Sequence, residues 1–266
     1  MSGFSWRRVR GVLRQDWYVL RHSPMRIMEI VYWPVIEVVL WGFITRYLAE
    51  ADAGIPGGVG VLLGAVVLWD LAFRSQQELA VTYLMDVWDR SVLNLFASPL
   101  RQSEYVIGDM IFSLGRVLVG SSLLVLFARL AFGFDLLTAG AALAPAVVLL
   151  LVFGWSLGLC IRAALLRFGS NAEVLAWSVA FLLQPVSAVF YPVSSLPGWL
   201  RPVAWAVPAA HVFEAVRRFI ADGELLVGHL LAAAALDLVY LAGGALVLAA
   251  AYRSVRVKGL LSKPGY

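Results

Sequence analysis

Residues 141–161 read A-A-L-A-P-A-V-V-L-L-L-V-F-G-W-S-L-G-L-C-I and contain no charged side chain. A helix rises about 1.5 Å per residue, so a stretch of this length covers the roughly 30 Å hydrocarbon core of a bilayer. Outward from it, five further apolar stretches have comparable length, at 27–49, 58–80, 106–132, 172–191 and 228–252. The pattern predicts an all-α integral membrane protein with six transmembrane helices. The stretch 58–80 is the weakest of the six, because its apolar run ends at Phe73 and Arg74-Ser75-Gln76-Gln77-Glu78 follows.

Composition agrees. The chain is 61% hydrophobic and 14% charged, with a mean hydropathy of +0.83, whereas a soluble domain is about 45–50% apolar and about 25% charged. The net charge is +4. In a soluble protein that surplus would suggest nucleic acid. Here the basic residues sit at the ends of apolar runs, where they set topology and meet lipid headgroups, so membrane lipids and not nucleic acid are the expected contacts. The one cysteine, Cys160, cannot form an internal disulfide. The first apolar run begins near Ile27, after an arginine-rich start, and is too long for the core of a cleavable signal peptide.

Residues 4–22 predict an amphipathic helix, with Trp6, Val9, Leu13, Trp17 and Leu20 on one stripe and Arg7, Arg10, Arg14 and Arg21 beside it. Tryptophan next to arginine suits a helix lying in the headgroup plane. Arg and Lys are concentrated in the segments on the side of the N-terminus, Arg162 and Arg167 of the loop after 141–161 among them, while the other side holds only Arg46, Arg129, Arg201, Arg217 and Arg218. The positive-inside rule therefore predicts a multi-pass protein of the bacterial cytoplasmic membrane with both termini cytoplasmic. Segment 191–227 falls outside and carries Pro192, Pro197, Pro202 and Pro208, yet stays apolar around Trp199, Leu200, Val203 and Trp205. Prolines break helices, so a re-entrant pair of short helices is expected there. There is no internal repeat or flexible linker, and residues 1–266 read as a single domain.

Several chemistries have no footing. The only lysines, Lys258 and Lys263, are not preceded by the glycine-rich phosphate loop of a P-loop ATPase. His22, His211 and His229 are scattered without metal-ligand spacing, so no metal site is expected. Gly154-Trp155-Ser156-Leu157-Gly158 matches the G-x-S-x-G pattern of a hydrolase nucleophile. That chemistry needs a strand-to-helix turn, and here the motif lies inside an apolar helix. Gly154 and Gly158 are better read as a small face for close helix packing. No catalytic or cofactor-binding residue is assigned. A membrane-embedded hydrolase and a non-transporting scaffold stand as alternatives.

Charges inside the spans carry information, because each costs about 2.5–3.5 kcal/mol at the bilayer centre and must face protein or water. Asp70, Arg74 and Glu78 lie four residues apart on one helical face. They form either a self-neutralising ladder or part of a translocation path. Arg116 joins them as an intramembrane charge. Glu37 and Asp237 lie deep and should find interhelical partners, whereas Glu29 and Asp109 lie near cytoplasmic ends and should be solvated.

Two motifs resemble a known family. Tyr191-Pro192-Val193-Ser194-Ser195-Leu196-Pro197-Gly198-Trp199-Leu200, followed by Pro208 and Arg217, is similar to the outer signature of type-2 ABC exporter permeases. Asp89-Arg90-Ser91-Val92-Leu93-Asn94-Leu95-Phe96-Ala97-Ser98-Pro99-Leu100-Arg101 is similar to that family's cytoplasmic stretch between the second and third spans. The family's usual Glu-Arg-Gly reads Asp89-Arg90-Ser91, and its common Asn-Pro reads Val207-Pro208. The resemblance implies an exporter permease without its own ATPase site, working as a homodimer with separate nucleotide-binding ATPase subunits that hold ATP and Mg. It implies a coupling helix within 84–103, docking through Asp89, Arg90, Val92, Leu93, Leu95, Phe96, Ser98 and Pro99. It also implies an extracytoplasmic gate of Tyr191, Pro192, Leu196, Pro197, Trp199 and Pro208. The expected substrate is a hydrophobic, lipid-linked or drug-like molecule.

Overall fold

A computed structural model describes residues 3–50, 59–88, 98–133 and 142–258. The described residues are mostly helical and contain no strand. Their helices are α1 (Trp6–Arg21), α2 (Pro24–Glu50), α3 (Val59–Trp88), α4 (Gln102–Phe132), α5 (Ala144–Phe168), α6 (Glu173–Val186), α7 (Arg201–Trp205), α8 (Pro208–Asp222) and α9 (Val227–Lys258). Glycines end three of them. Gly133 and Gly223 adopt left-handed conformations with φ of 66° and 73°, closing α4 and α8. Gly169, at φ 62° and ψ −146°, breaks the chain between α5 and a short 3-10 turn, Gly169–Ala172, that leads into α6.

Buried side chains sort the bundle into two ends. At one end Val12, Tyr83, Tyr105, Leu165, Ala176, Leu248 and Val255 share a cluster. At the other, Trp69, Val117, Leu150, Phe153, Ala180, Phe213 and Ala233 share a second. Followed through these clusters, α3, α5 and α9 run from the second end to the first, and α4 and α6 run back. The α2 helix runs alongside α4 in the same direction, its Ile30 carbonyl beside Gly120 and its Gly42 against the Phe132 ring. Hence α1 and the end of α9 lie together.

Among the described residues, four stretches are long and apolar enough to cross a membrane: Pro24–Leu48, Gln102–Phe132, Ala144–Val186 and Val227–Val257. The protein is therefore a multi-pass membrane protein. Two of the six expected spans differ from expectation. The 58–80 stretch is helical but extends to Trp88 and carries Asp70, Arg74 and Glu78. The 172–191 stretch forms only the 14-residue α6, joined to α5 through the 3-10 turn. At 1.5 Å per residue that helix covers about 21 Å, short of a hydrocarbon core.

The α3–α5 contact is close because α5 presents glycine. A Cβ on Gly154 would lie 1.9 Å from Ser75 Oγ and 2.3 Å from the Ala72 carbonyl, and one on Gly158 would lie 2.8 Å from Leu79 Cβ. Glycine at i and i+4 lets the two backbones meet. Between them Ser156 donates its hydroxyl to the Val152 carbonyl at 2.8 Å, one turn back in the same helix. The G-x-S-x-G pattern is thus a packing face within a continuous helix.

The α1 stripe differs from the sequence expectation. Val9, Val12 and Leu20 are buried, but Trp6 and Trp17 are both 60% exposed. The buried register is set by α4, where Gly108 leaves room for Val12. Glu104 also takes hydrogen bonds from the Ser5 amide at 2.8 Å and Arg8 at 2.7 Å.

Candidate functional site

The α3 helix carries a polar seam. Asp70, Arg74, Glu78 and Asp86 fall at intervals of four and eight residues, one face over about 24 Å of helix. Near the second end, Asp70 is 1% exposed, and its carboxylate takes a 2.5 Å ion pair from Arg74 Nε. Glu37 of α2 faces Asp70. One turn on, Glu78 does not continue the ladder with Arg74. It pairs across to Arg116 of α4 at 2.7 Å. The three-residue ladder is therefore split between two neighbouring helices.

Arg74, Glu78 and Arg116 of this group border a cavity of about 130 Å3 between α2, α3, α4 and α6. Arg26, Glu29, Arg74, Glu78 and Arg116 contribute its polar wall, and Trp33 and Trp177 its aromatic one. That volume admits several waters, which removes much of the desolvation cost of the charges around it. Of the residues read from the sequence as intramembrane charges, Glu37, Asp70, Arg74, Glu78 and Arg116 come together here. Asp237 does not. It is 2% exposed on α9, and neither carboxylate oxygen has a hydrogen-bond partner, so the interhelical partner expected for it is absent among the described residues.

A second polar cluster lies at the first end, beneath α1. Arg162 of α5 is 2% exposed and pairs with Asp109 of α4 at 2.5 Å. Its guanidinium carbon lies 4.7 Å from the Tyr83 ring centre and 4.2 Å from that of Tyr105. The Tyr105 hydroxyl donates to Asp86 of α3, and Asp16 of α1 faces the same group of charges. Burial, followed by the nearby Asp109 and Asp86, pushes the Asp16 carboxyl up to about 8, with Arg162 and Arg116 opposing. This cluster corrects two expectations. Asp109 is not solvated, being only 4% exposed. Arg162 is not a residue of a cytoplasmic loop but the largest fully buried side chain among the described residues. A sequence signal existed, since the apolar run resumes as Ala163-Ala164-Leu165-Leu166 and so places Arg162 inside a helix.

The proline-rich segment is tied down by α8. Glu214 accepts from the Val193 amide at 2.6 Å. Arg217 pairs with Glu214 at 2.8 Å and donates to the carbonyls of Ala188 and Tyr191 at 2.8 and 2.9 Å. Tyr191 donates its hydroxyl to the Pro185 carbonyl at 2.8 Å. Val193 and Leu196 are buried with Ala188, Ala204 and Ala210. Pro192 and Pro197 flank the short 3-10 turn Val193–Ser195, Pro208 starts α8, and Trp199 is 75% exposed. Glu214 escaped the sequence reading, although its i, i+3 spacing to Arg217 is visible there.

Of the residues implied as ATPase-coupling, Asp89, Arg90, Val92, Leu93, Leu95 and Phe96 lie outside the described residues. Residues 84–88 form the last turn of α3, and Ser98 and Pro99 precede α4, with Ser98 Oγ accepting from the Leu100 amide at 3.3 Å.

Residues 20–220 match a family described as ABC-2 type transporter. The chain is similar to the ABC transporter G family member 20 of Dictyostelium discoideum, at 32% identity over 146 residues, 54% of this chain and 20% of that protein. It is also similar to the daunorubicin resistance ABC transporter permease protein DrrB1 of Streptomyces coeruleorubidus, at 26% identity over 210 residues, 75% of this chain and 70% of that one. The chain thus spans about a fifth of the first relative's length.

Proposed function

The chain belongs to the ABC-2 type transporter family, and from that premise we propose that it is the permease subunit of an ATP-driven exporter whose ATPase is a separate polypeptide. The family match across 20–220 carries this reading. The lack of a glycine-rich phosphate loop ahead of either lysine supports hydrolysis elsewhere.

In this reading α2, α3, α4, α5, α6 and α9 make six passes. The polar face of α3 is shielded by its neighbours, and α6 reaches the far side with the residues that follow it. The first end of the bundle is cytoplasmic and holds both termini, and the membrane is the bacterial inner membrane. Residues 191–227, with α7 and α8, form the outer re-entrant gate. Two copies pair, and the cavity between α2, α3, α4 and α6 borders the route. Trp33 and Trp177 suit an aromatic or lipid-like substrate, and the daunorubicin-resistance name of one relative favours a drug-like molecule.

Residues 89–97 dock the ATPase through their apolar side. Leu95→Asp with Phe96→Asp should therefore abolish co-purification of the ATPase while leaving the permease in the membrane. Undiminished co-purification would refute the docking role. Failure of the wild-type protein to retain any nucleotide-binding subunit, or to lower daunorubicin accumulation in cells, would refute the exporter reading as a whole.

A further inference from the structure

The exporter reading does not explain why the largest fully buried side chain among the described residues is an arginine. A buried ion pair is no better for stability than apolar groups of the same volume, so the cluster around Arg162 calls for another role. Its position supplies one. Arg162 joins three helices at the inner end. It leaves α5, pairs with Asp109 of α4 and lies against the rings of Tyr105 of α4 and Tyr83 of α3. The Tyr105 hydroxyl extends the connection to Asp86. Asp86 is two residues from Trp88, where α3 ends and the chain enters 89–97. Asp16 brings α1 to the same point.

The cluster also holds spare bonding capacity. Asp109 pairs with the buried guanidinium, and Asp16 of α1 and Asp86 of α3 belong to the same group of charges. Arg162 Nη2 is a buried donor without an acceptor, and Asp16 Oδ2 and Asp109 Oδ1 are buried acceptors without a donor. A guanidinium holds its donors in a rigid planar fork, so it can shift from one carboxylate to a neighbour while staying stacked between two rings. An element with two discrete bonding arrangements can carry a two-state change between distant sites, which a continuously deformable apolar core does not.

Resting on the exporter reading, we propose that Arg162 is a two-position joint: a positioning residue that ties the C-terminal end of α3 to α4, α5 and α1, and that changes carboxylate partner when the ATPase moves the chain beyond α3. Movement at the inner end then reaches α4, α5 and α1 together. Without the joint, α3 can be displaced without carrying its neighbours.

The test uses the full-length permease with its co-purified ATPase subunits in proteoliposomes, with daunorubicin as the transported probe. The variants are Arg162→Met with Asp109→Leu, which fills the space with apolar atoms and leaves no unpaired charge, and Tyr105→Phe, which removes only the hydroxyl link to Asp86. Both should fold, retain the ATPase and hydrolyse ATP. Daunorubicin moved per ATP hydrolysed should fall about tenfold or more in the double variant, within the usual range of coupling between sites, and by less in Tyr105→Phe. Arg162→Lys should recover only part of the loss, because an ammonium restores the charge but not the fork. A purely structural role would lower the amount of folded complex and leave the ratio unchanged. A wild-type ratio in both the double variant and Tyr105→Phe would overturn the joint. Absence of ATP-driven transport by the wild-type complex would overturn the exporter reading and the joint with it.

Discussion

Replacing Gly154 with alanine should destabilise the bundle more than any other glycine-to-alanine change in α5, although the substitution adds one methyl group. The added Cβ would lie 2.3 Å from the Ala72 carbonyl oxygen and 1.9 Å from Ser75 Oγ. Ser75 can rotate, at the loss of its 3.0 Å hydrogen bond to the Ala72 carbonyl. The carbonyl cannot, because it belongs to the α3 backbone. Ordinary carbon–oxygen contact near 3.4 Å requires α3 and α5 to separate by about 1 Å, which loosens the packing of Leu68, Leu150 and Phe153 along the seam. Overpacking of this kind costs about 1–3 kcal/mol. Helix propensity returns up to about 1 kcal/mol, since glycine is that much worse than alanine in a helix interior. Gly158 is milder, with contacts of 2.8 Å to Leu79 Cβ and 3.0 Å to the Gln76 carbonyl. Gly115 of α4 has nothing within 4 Å of its virtual Cβ and should gain the propensity term alone. Thermal unfolding of the detergent-purified protein should rank stability as Gly115→Ala above wild type, then Gly158→Ala, then Gly154→Ala. Equal stability for Gly154→Ala and Gly115→Ala would refute the close approach of α3 and α5.

Asp16 has its carboxyl pushed from the usual 3.8 to about 8, so the folded protein holds a proton that the unfolded chain releases. Stability should fall as pH rises from about 4 to about 8 and then level off. Asp16→Asn should flatten that slope in thermal unfolding measured at pH 5, 6.5 and 8, and an unchanged slope would count against the burial of Asp16. His211 behaves oppositely. Burial, aided by the neighbouring His229, pushes it below its usual 6.5. Its Nδ1 lies 3.0 Å from His229 Nδ1, and its Nε2 donates to the Trp205 carbonyl at 2.9 Å, so a proton added at His211 Nδ1 removes the lone pair that makes the contact. The α8–α9 junction should loosen as pH falls below about 6.5, with faster amide exchange in α8 than in a His211→Gln protein at the same pH. Glu214→Ala removes the acceptor for Val193 and the partner of Arg217, which should cost about 1–3 kcal/mol and expose 187–196 to proteolysis. Wild-type resistance there would argue that the apolar contacts of Val193 and Leu196 suffice.

Sequence alone established that this chain lives in lipid. Apolar runs such as 141–161 have the length of a bilayer core, and no folded arrangement changes that. The glycine pair at 154 and 158 and the family resemblance were legible for a related reason, since each depends on residues close together in the chain. Pairing between helices was not legible. Spacing put Asp70, Arg74 and Glu78 on one face, but only the position of α4 sends Glu78 to Arg116 while Arg74 stays with Asp70. Asp109 and Arg162 are 53 residues apart, and His211 and His229 sit on different helices. A one-dimensional pattern specifies which face of a helix is polar, whereas the partner across that face depends on which helix packs there and at what height. Tertiary structure decided those two things. It turned an arginine that looked like a loop charge into the largest fully buried side chain among the described residues, because Asp109 and two tyrosine rings from neighbouring helices were there to receive it.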